Sequence, residues 1–346
     1  MFRMCKVSAA VVAIAVVIGM TGKAAQAGFS LSGYTPQVVE SETGVPNAAA
    51  SMQTVRLWGG SGWSSSLNDY MTVNTGFTLP SCQDVNYARL YLEVWGGTSA
   101  YTAQVTVIVN GHALAPVSFG GTADTNPTFN TSQSCCVYGV GMGEWQLAFS
   151  GISSYLNTNG TANTITIQES DPTGNFDGRI YNATLAAVYQ SPSINQSLDF
   201  YLAEGDGYMR KPPANPTYGN APAQRSIAFN GLNTANVTSA TYMTLYTLGD
   251  AGQKDWQYFN GYQLGSNDVA TGQYGQYGPD LTSFDVTNDL ATNSTAVYSV
   301  NDPSGETSLV AGIGLLEVVH PAPEPTTIGL LALGGVGMIA RIRRRR

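Results

Sequence analysis

The sequence predicts an all-β protein: two tandem jelly-roll-like β-sandwiches, preceded by a signal peptide and followed by a short apolar helix. Three observations carry that expectation. The chain holds 39 glycines and abundant Ser, Thr and Asn, the profile of short strands joined by tight turns. Apolar residues alternate with period two in many short segments, and no sustained 3.6-residue period occurs outside the two ends. Finally, two stretches of the body share one design, which predicts a structure built twice.

The N-terminus reads MFRMCKVSAAVVAIAVVIGMTGKAAQAGFS. Arg3 and Lys6 make a basic start, Val7 to Met20 a short apolar run, and Ala25-Gln26-Ala27 a small-x-small cleavage site before Gly28, the three parts of a secretory signal. Ala25 and Ala27 are the small residues that such cleavage needs, and residues 1–27 are expected to leave, Cys5 with them. The apolar run is short for a membrane anchor. Residues 28–320 carry seven basic against 22 acidic side chains, so nucleic acid is excluded as a natural partner.

The repeat sets the expected domains, a first sandwich over 28–192 and a second over 193–320. ARLYLEVWGGTSAYTAQVTVIVNGHAL (88–114) and ATYMTLYTLGDAGQKDWQYFNGYQL (240–264) each run strand, glycine turn, strand, then an Asn-Gly turn. Asn110-Gly111 and Asn260-Gly261 suit a type I′ turn, whose two central residues both need positive φ. Later segments correspond as well. Residues 145–171 and 281–302 each predict a strand, a short helical turn before Leu156 or Leu290, an Asn/Thr-rich loop and another strand. Each half closes on a long apolar strand, 179–189 and 308–319. The Pro-rich stretch 210–225 reads as an exposed loop inside the second unit.

At the C-terminus, PAPEPTTIGLLALGGVGMIARIRRRR puts a Pro-Glu-Pro triplet before fifteen uncharged residues and then a basic tail. A fifteen-residue helix is about 22 Å long against roughly 30 Å of hydrocarbon, a marginal span. Arginines stay on the cytoplasmic side of a span, so the body is expected to face outward. Pro323, Glu324 and Pro325, the apolar segment, and Arg341, Arg343, Arg344, Arg345 and Arg346 together resemble the PEP-CTERM sorting signal of bacterial envelope proteins (321–346). The resemblance implies recognition by an exosortase, a membrane transpeptidase-like enzyme, and an association with exopolysaccharide and the cell surface. In the body, FTLP (77–80), ARLYLEVWGGT (88–98), FDGRIYNATLAAVYQ (176–190) and YLAEGDGYM (201–209) are similar to a tandem β-sandwich domain of unknown function, common in methanogen surface proteins. That similarity implies a surface role and brings no catalytic residue with it.

Candidate chemistry is sparse. Of the cysteines that remain after export, Cys82 is expected to pair with Cys135 or Cys136, since disulfides persist outside the cytoplasm; a vicinal ring or free thiols are the alternatives. His112 follows an Asn-Gly turn and reads as a solvated turn residue, and His320 lies beside the tail. A Ser-His-Asp arrangement would have to use His112, and no Gly-x-Ser-x-Gly elbow is present. Glu93, Glu144 and Glu169 lie on or beside strands, where acids ordinarily face solvent, although a carboxylate pair would suit glycoside hydrolysis. Trp95, Trp145 and Trp256 could stack on sugar rings. Asp171, Asn175 and Asp177 share a loop that offers oxygen ligands to calcium, as do Asp250 and Asp255, but neither loop follows the EF-hand pattern. The expected protein has no obligatory cofactor. It is a non-enzymatic surface or matrix protein, with an exopolysaccharide-binding module or a glycan-active enzyme as the alternatives.

Overall fold

The computed structural model describes residues 34–57, 71–96, 102–120, 143–170, 179–212, 222–271, 278–305 and 309–322. The signal-peptide residues Ala25 and Ala27, the cysteines Cys135 and Cys136, the loop with Asp171, Asn175 and Asp177, and the sorting residues from Pro323 to Arg346 lie outside the described residues, as do the side chains of Trp95 and Glu144. Within the described residues the protein is all-β, with two 3-10 turns at Ser153–Tyr155 and Thr287–Asp289.

The first half contains β1 (Tyr34–Pro46), β2 (Ala48–Arg56), β3 (Met71–Thr78), β4 (Asp84–Gly96), β5 (Thr102–Val109), β6 (His112–Ala113), β7 (Val117–Gly120), β8 (Gly143–Phe149), β9 (Ala162–Ser170) and β10 (Arg179–Gln190). The second contains β11 (Gln196–Met209), β12 (Gln224–Asn230), β13 (Ser239–Thr247), β14 (Trp256–Phe259), β15 (Tyr262–Leu264), β16 (Asp280–Asp285), β17 (Asn293–Ser299) and β18 (Leu309–Pro321). They form four antiparallel sheets. The first half has an inner sheet β2-β10-β4-β8 and an outer sheet β3-β9-β5-β6, with β7 beside β5. The second half has an inner sheet β1-β11-β18-β13-β16 and an outer sheet β12-β17-β14-β15. Leaving out β1 and β7, strands β2 to β10 map one for one onto β11 to β18, and the sheet orders are then the same in both halves.

Three cores separate these four layers. Leu90, Leu92 and Val94 of β4 meet Val105 and Val107 of β5 inside the first half. Phe229, Tyr242, Phe259 and Tyr298 fill the second. The third core lies between the inner sheets, where Met52, Tyr91 and Val188 face Phe200, Leu202, Ile313 and Leu315. Layer position explains the sequence pattern. On β5, in an outer sheet, Ala103, Val105, Val107 and Val109 are buried and the residues between are half-buried, the alternation of a one-sided strand. On β10 and β18, covered on both faces, the burial is nearly continuous, and so is the apolar character.

Two features depart from expectation. Residues 88–114 are not one hairpin, because β4 lies in the inner sheet and β5 in the outer one. The chain crosses the sandwich between them, and the hairpin is β5–β6 at Asn110-Gly111. Strand β1 belongs to the first half by chain order but pairs with β11 of the second. The chain switches sheets at Asn47, whose φ is +54°, a left-handed conformation that Asn tolerates. Its N–H donates to Gln196 O at 2.7 Å, and its carbonyl accepts from Ser191 N at 2.9 Å, which fixes the crossover against the junction of the two halves.

Candidate functional site

A cleft of about 630 Å³ opens at the end of the second inner sheet. Thr43 and Gly44 of β1, Asp199 of β11, Asn233 and Asn236 of the loop after β12, and His320 of β18 line it. Its floor is a buried pair, Asp199 at 2% and His320 at 8% exposure. Asp199 Oδ1 accepts the Gly44 N–H at 2.6 Å, and Oδ2 lies 3.2 Å from His320 Nε2. The other ring nitrogen, Nδ1, lies 3.1 Å from the Ala235 carbonyl. Both nitrogens thus face acceptors. Ser197 stands opposite His320 in the ladder, yet no ring nitrogen is left to take its proton. The cluster ties β1, β11 and the 231–236 loop to the last residues of β18. Removing one partner of such a buried pair typically costs about 3–5 kcal/mol.

Sequence reasoning placed His320 beside the tail and did not single out Asp199. The available signal was a charge between Leu198 and Phe200, both buried, in a strand covered on its two faces. His112 is exposed and stacks on Tyr155, with centroids 4.6 Å apart and planes at 9°; it is not near the cleft pair in either ladder or hydrogen bonding.

The carboxylates differ from the solvent-facing expectation. Glu93 and Glu169 are 0% and 5% exposed. On β4 the even positions Leu90, Leu92 and Val94 face the first-half core, whereas Tyr91 faces the seam between the inner sheets, so Glu93 faces that seam too. Glu169 follows Ile165 and Ile167 on β9 and faces the first-half core instead. The two acids are therefore on opposite sides of the inner sheet and form no glycosidase-like pair. At the seam, Gln146 Nε2 donates to Glu93 Oε1 at 2.8 Å, and burial pushes the Glu93 carboxyl up to about 7 against the pull of that bond. Glu93 Oε2 and Asn182 Nδ2, neighbours across the ladder, are buried without a hydrogen-bond partner.

Trp145 is a correction. It is 2% exposed and meets Phe119 edge-on at 5.4 Å inside the first-half core, where no sugar can reach it. Trp256 and Tyr258 are half-buried on the outward face of β14, opposite the buried Gln257 and Phe259. Cys82 carries a free thiol, half-buried, and burial followed by the nearby Asp84 raises its pKa. Asp255 is buried and accepts from Val269 N at 2.9 Å and Ala270 N at 3.1 Å; burial outweighs those bonds and pushes it up to about 6. Asp250 accepts from Gln253 Nε2 at 2.7 Å. Among the described residues, no group of three or more His, Cys, Asp or Glu side chains has a metal-holding arrangement. Also among them, no helix is long and apolar enough to cross a membrane.

Layered sheets leading into a sorting tail define an exported all-β surface protein. Residues 321–346 match the PEP-CTERM protein-sorting motif, which marks a chain for the cell surface and for processing by an exosortase-type enzyme. Residues 55–319 match the family described as "Protein of unknown function (DUF3344)", and the chain belongs to that family. No curated protein matches it in sequence. Among solved structures it is similar to dimeric latent PorU from Porphyromonas gingivalis, at 9% identity and a TM-score of 0.28, over 86% of this chain and 23% of that one. It is also similar to BuGH86 in complex with neoagarooctaose, at 9% identity and TM-score 0.25, over 71% of this chain and 33% of that one. A third likeness is to PNGase F, a glycosylasparaginase from Flavobacterium meningosepticum, at 14% identity and TM-score 0.24, over 80% and 97%. At these scores none of the three carries an argument about this chain.

Proposed function

We propose that the protein is a non-enzymatic component of the cell surface or extracellular matrix, displaying two tandem jelly rolls over 28–192 and 193–320. The equal sheet orders of the halves support the jelly-roll reading. The observation that carries the function is the position of the sorting motif: it begins at Pro321, the last residue of β18. Every strand among the described residues therefore lies on the N-terminal side of the motif and is what sorting delivers. The buried Asp199–His320 pair at the cleft has both ring nitrogens facing acceptors, which supports a structural role for it. Replacing Arg343 to Arg346 by Ser should weaken membrane retention and leave unprocessed precursor. Fractionation and intact mass identical to the parent would overturn the reading.

A second reading, binding of exopolysaccharide, is favoured by one feature. Trp256 and Tyr258 stand two residues apart on the open face of β14, a spacing of about 7 Å that suits successive sugar rings. The corresponding face of β5 presents Thr102, Gln104, Thr106 and Ile108, so this platform belongs to the second half. Glycan-array binding by the protein, abolished in Trp256→Ala, is the result this reading requires.

A further inference from the structure

The strand that leads into the sorting motif is held down to its end. β18 lies between β11 and β13, and its ladder with β11 continues to the pair Gln196 and Pro321. Thr238 donates to the Val319 carbonyl from its N–H at 2.8 Å and its hydroxyl at 3.1 Å. His320 is fixed from both sides by Asp199 and Ala235. Only Ala322 then separates the strand from Pro323. An extended chain gains at most about 3.6 Å per residue, so Pro325 is within roughly 15 Å of Pro321 by that limit. An enzyme that closes on the triplet must meet the adjoining rim of the protein.

That rim has a definite character. Thr43, Gly44, Gly231, Asn233 and Asn236 are exposed around the cleft, and the space above Gly44 and Gly231 is open, with nothing within 4 Å of a built Cβ. The acid and the imidazole of the lining, Asp199 and His320, are buried and lie against each other, so that no charged side chain is exposed in it. The surface is thus concave, neutral and hydrogen-bonding. We propose that this rim is a docking surface for the sorting enzyme, which grips Thr43-Gly44 and the 231–236 loop while it takes the adjacent motif. The proposal rests on the sorting reading above.

The test follows processing of the full chain in the exporting cell, by pulse-chase and intact mass. One variant joins Thr43→Arg and Ala235→Arg, which add bulk and charge to exposed positions of the lining. A second inserts ten Gly/Ser residues between Ala322 and Pro323. A third replaces Pro323, Glu324 and Pro325 by Ala. Docking predicts that the rim variant is processed about tenfold more slowly, the loss of roughly 1.4 kcal/mol of recognition, at an unchanged melting temperature. The linker variant should slow as well, because rim and motif no longer reach the enzyme together. Rim-variant processing at the parental rate overturns the proposal, and so does faster processing of the linker variant, which would mean that the body obstructs the enzyme. Parental processing of the triple-alanine variant would instead bring down the sorting reading itself.

Discussion

Asn110 and Asn260, 150 positions apart in the chain, make the same set of contacts in the two halves. Each has a positive φ, +48° and +49°, followed by a glycine at +85°. Asn110 Nδ2 donates to the Tyr155 carbonyl at 2.7 Å, and Asn260 Nδ2 to the Asp289 carbonyl at 2.6 Å. Their Oδ1 atoms accept from Thr164 N and Thr295 N, both at 2.8 Å. Each side chain therefore locks the hairpin tip to the 3-10 turn and to the strand that follows it.

Asn110→Ala should lose those bonds and force Ala into a left-handed conformation, for a cost of about 2–4 kcal/mol. Asn110→Gly should recover the backbone part, about 1 kcal/mol, and the Asn260 pair should behave alike. Denaturant unfolding of the four variants measures this. Equal stability of the Ala and Gly forms would remove the positive-φ argument.

These turns were legible because Asn-Gly carries its backbone requirement in two adjacent residues. The one-sided strands were legible too, since Ala103, Val105 and Val107 alternate with Thr102, Gln104 and Thr106. The stacking of the inner sheets was not. Burial on both faces makes β10 and β18 read only as apolar, without saying what covers them. Strand β1 was hidden for another reason: Pro36, Gly44 and Pro46 in YTPQVVESETGVP read as loop, and its pairing with β11 contains three register shifts. Asp199 and His320 are 121 residues apart, so only the antiparallel ladder brings them together.

Glu93 predicts a pH dependence with a definite sign. Its folded-state pKa is raised to about 7 from an ordinary 4.5, chiefly by burial. The ionised carboxylate is therefore worse off in the folded than in the unfolded chain. The stability contributed by the neutral form is complete below about pH 4.5 and is lost as pH rises through 7. Glu93→Gln removes that loss and keeps an acceptor for Gln146. Its melting temperature should exceed the parent's at pH 8 and match it at pH 4. A constant difference across that range would exclude titration of Glu93 as the cause.

Gly312 should couple to the same carboxyl. A Cβ built there lies 3.0 Å from Glu93 Oε1 and 3.2 Å from Gln146 Nε2, closer than packed atoms ordinarily sit. Gly312→Ala is expected to cost about 1–3 kcal/mol by crowding the seam between the inner sheets. In a Glu93→Ala background the crowding atom is gone, and the cost should fall by at least roughly 0.5 kcal/mol. Additive costs in the double-mutant cycle would show that the glycine is needed for another reason.

The two tryptophans with described side chains should separate stability from recognition. Trp145 is 2% exposed, with Phe119 against its ring. Truncating a buried aromatic leaves a cavity as well as lost transfer energy, so Trp145→Ala should destabilise by about 3–5 kcal/mol. Trp256 is only half-buried, on the outer face of the second half. Trp256→Ala should therefore cost less, about 1 kcal/mol or so, because part of its surface stays in water in the folded state. Tyr258→Ala, on the same face, should resemble it. If the outer face holds polysaccharide, retention on a column of the producing cell's own exopolysaccharide should drop for Trp256→Ala and Tyr258→Ala while their unfolding curves stay near the parent's. For Trp145→Phe, which keeps an aromatic ring in the core, retention should be unchanged even where stability falls. Loss of retention that tracks stability across all of these variants would assign the effect to unfolding and leave the outer face without a ligand.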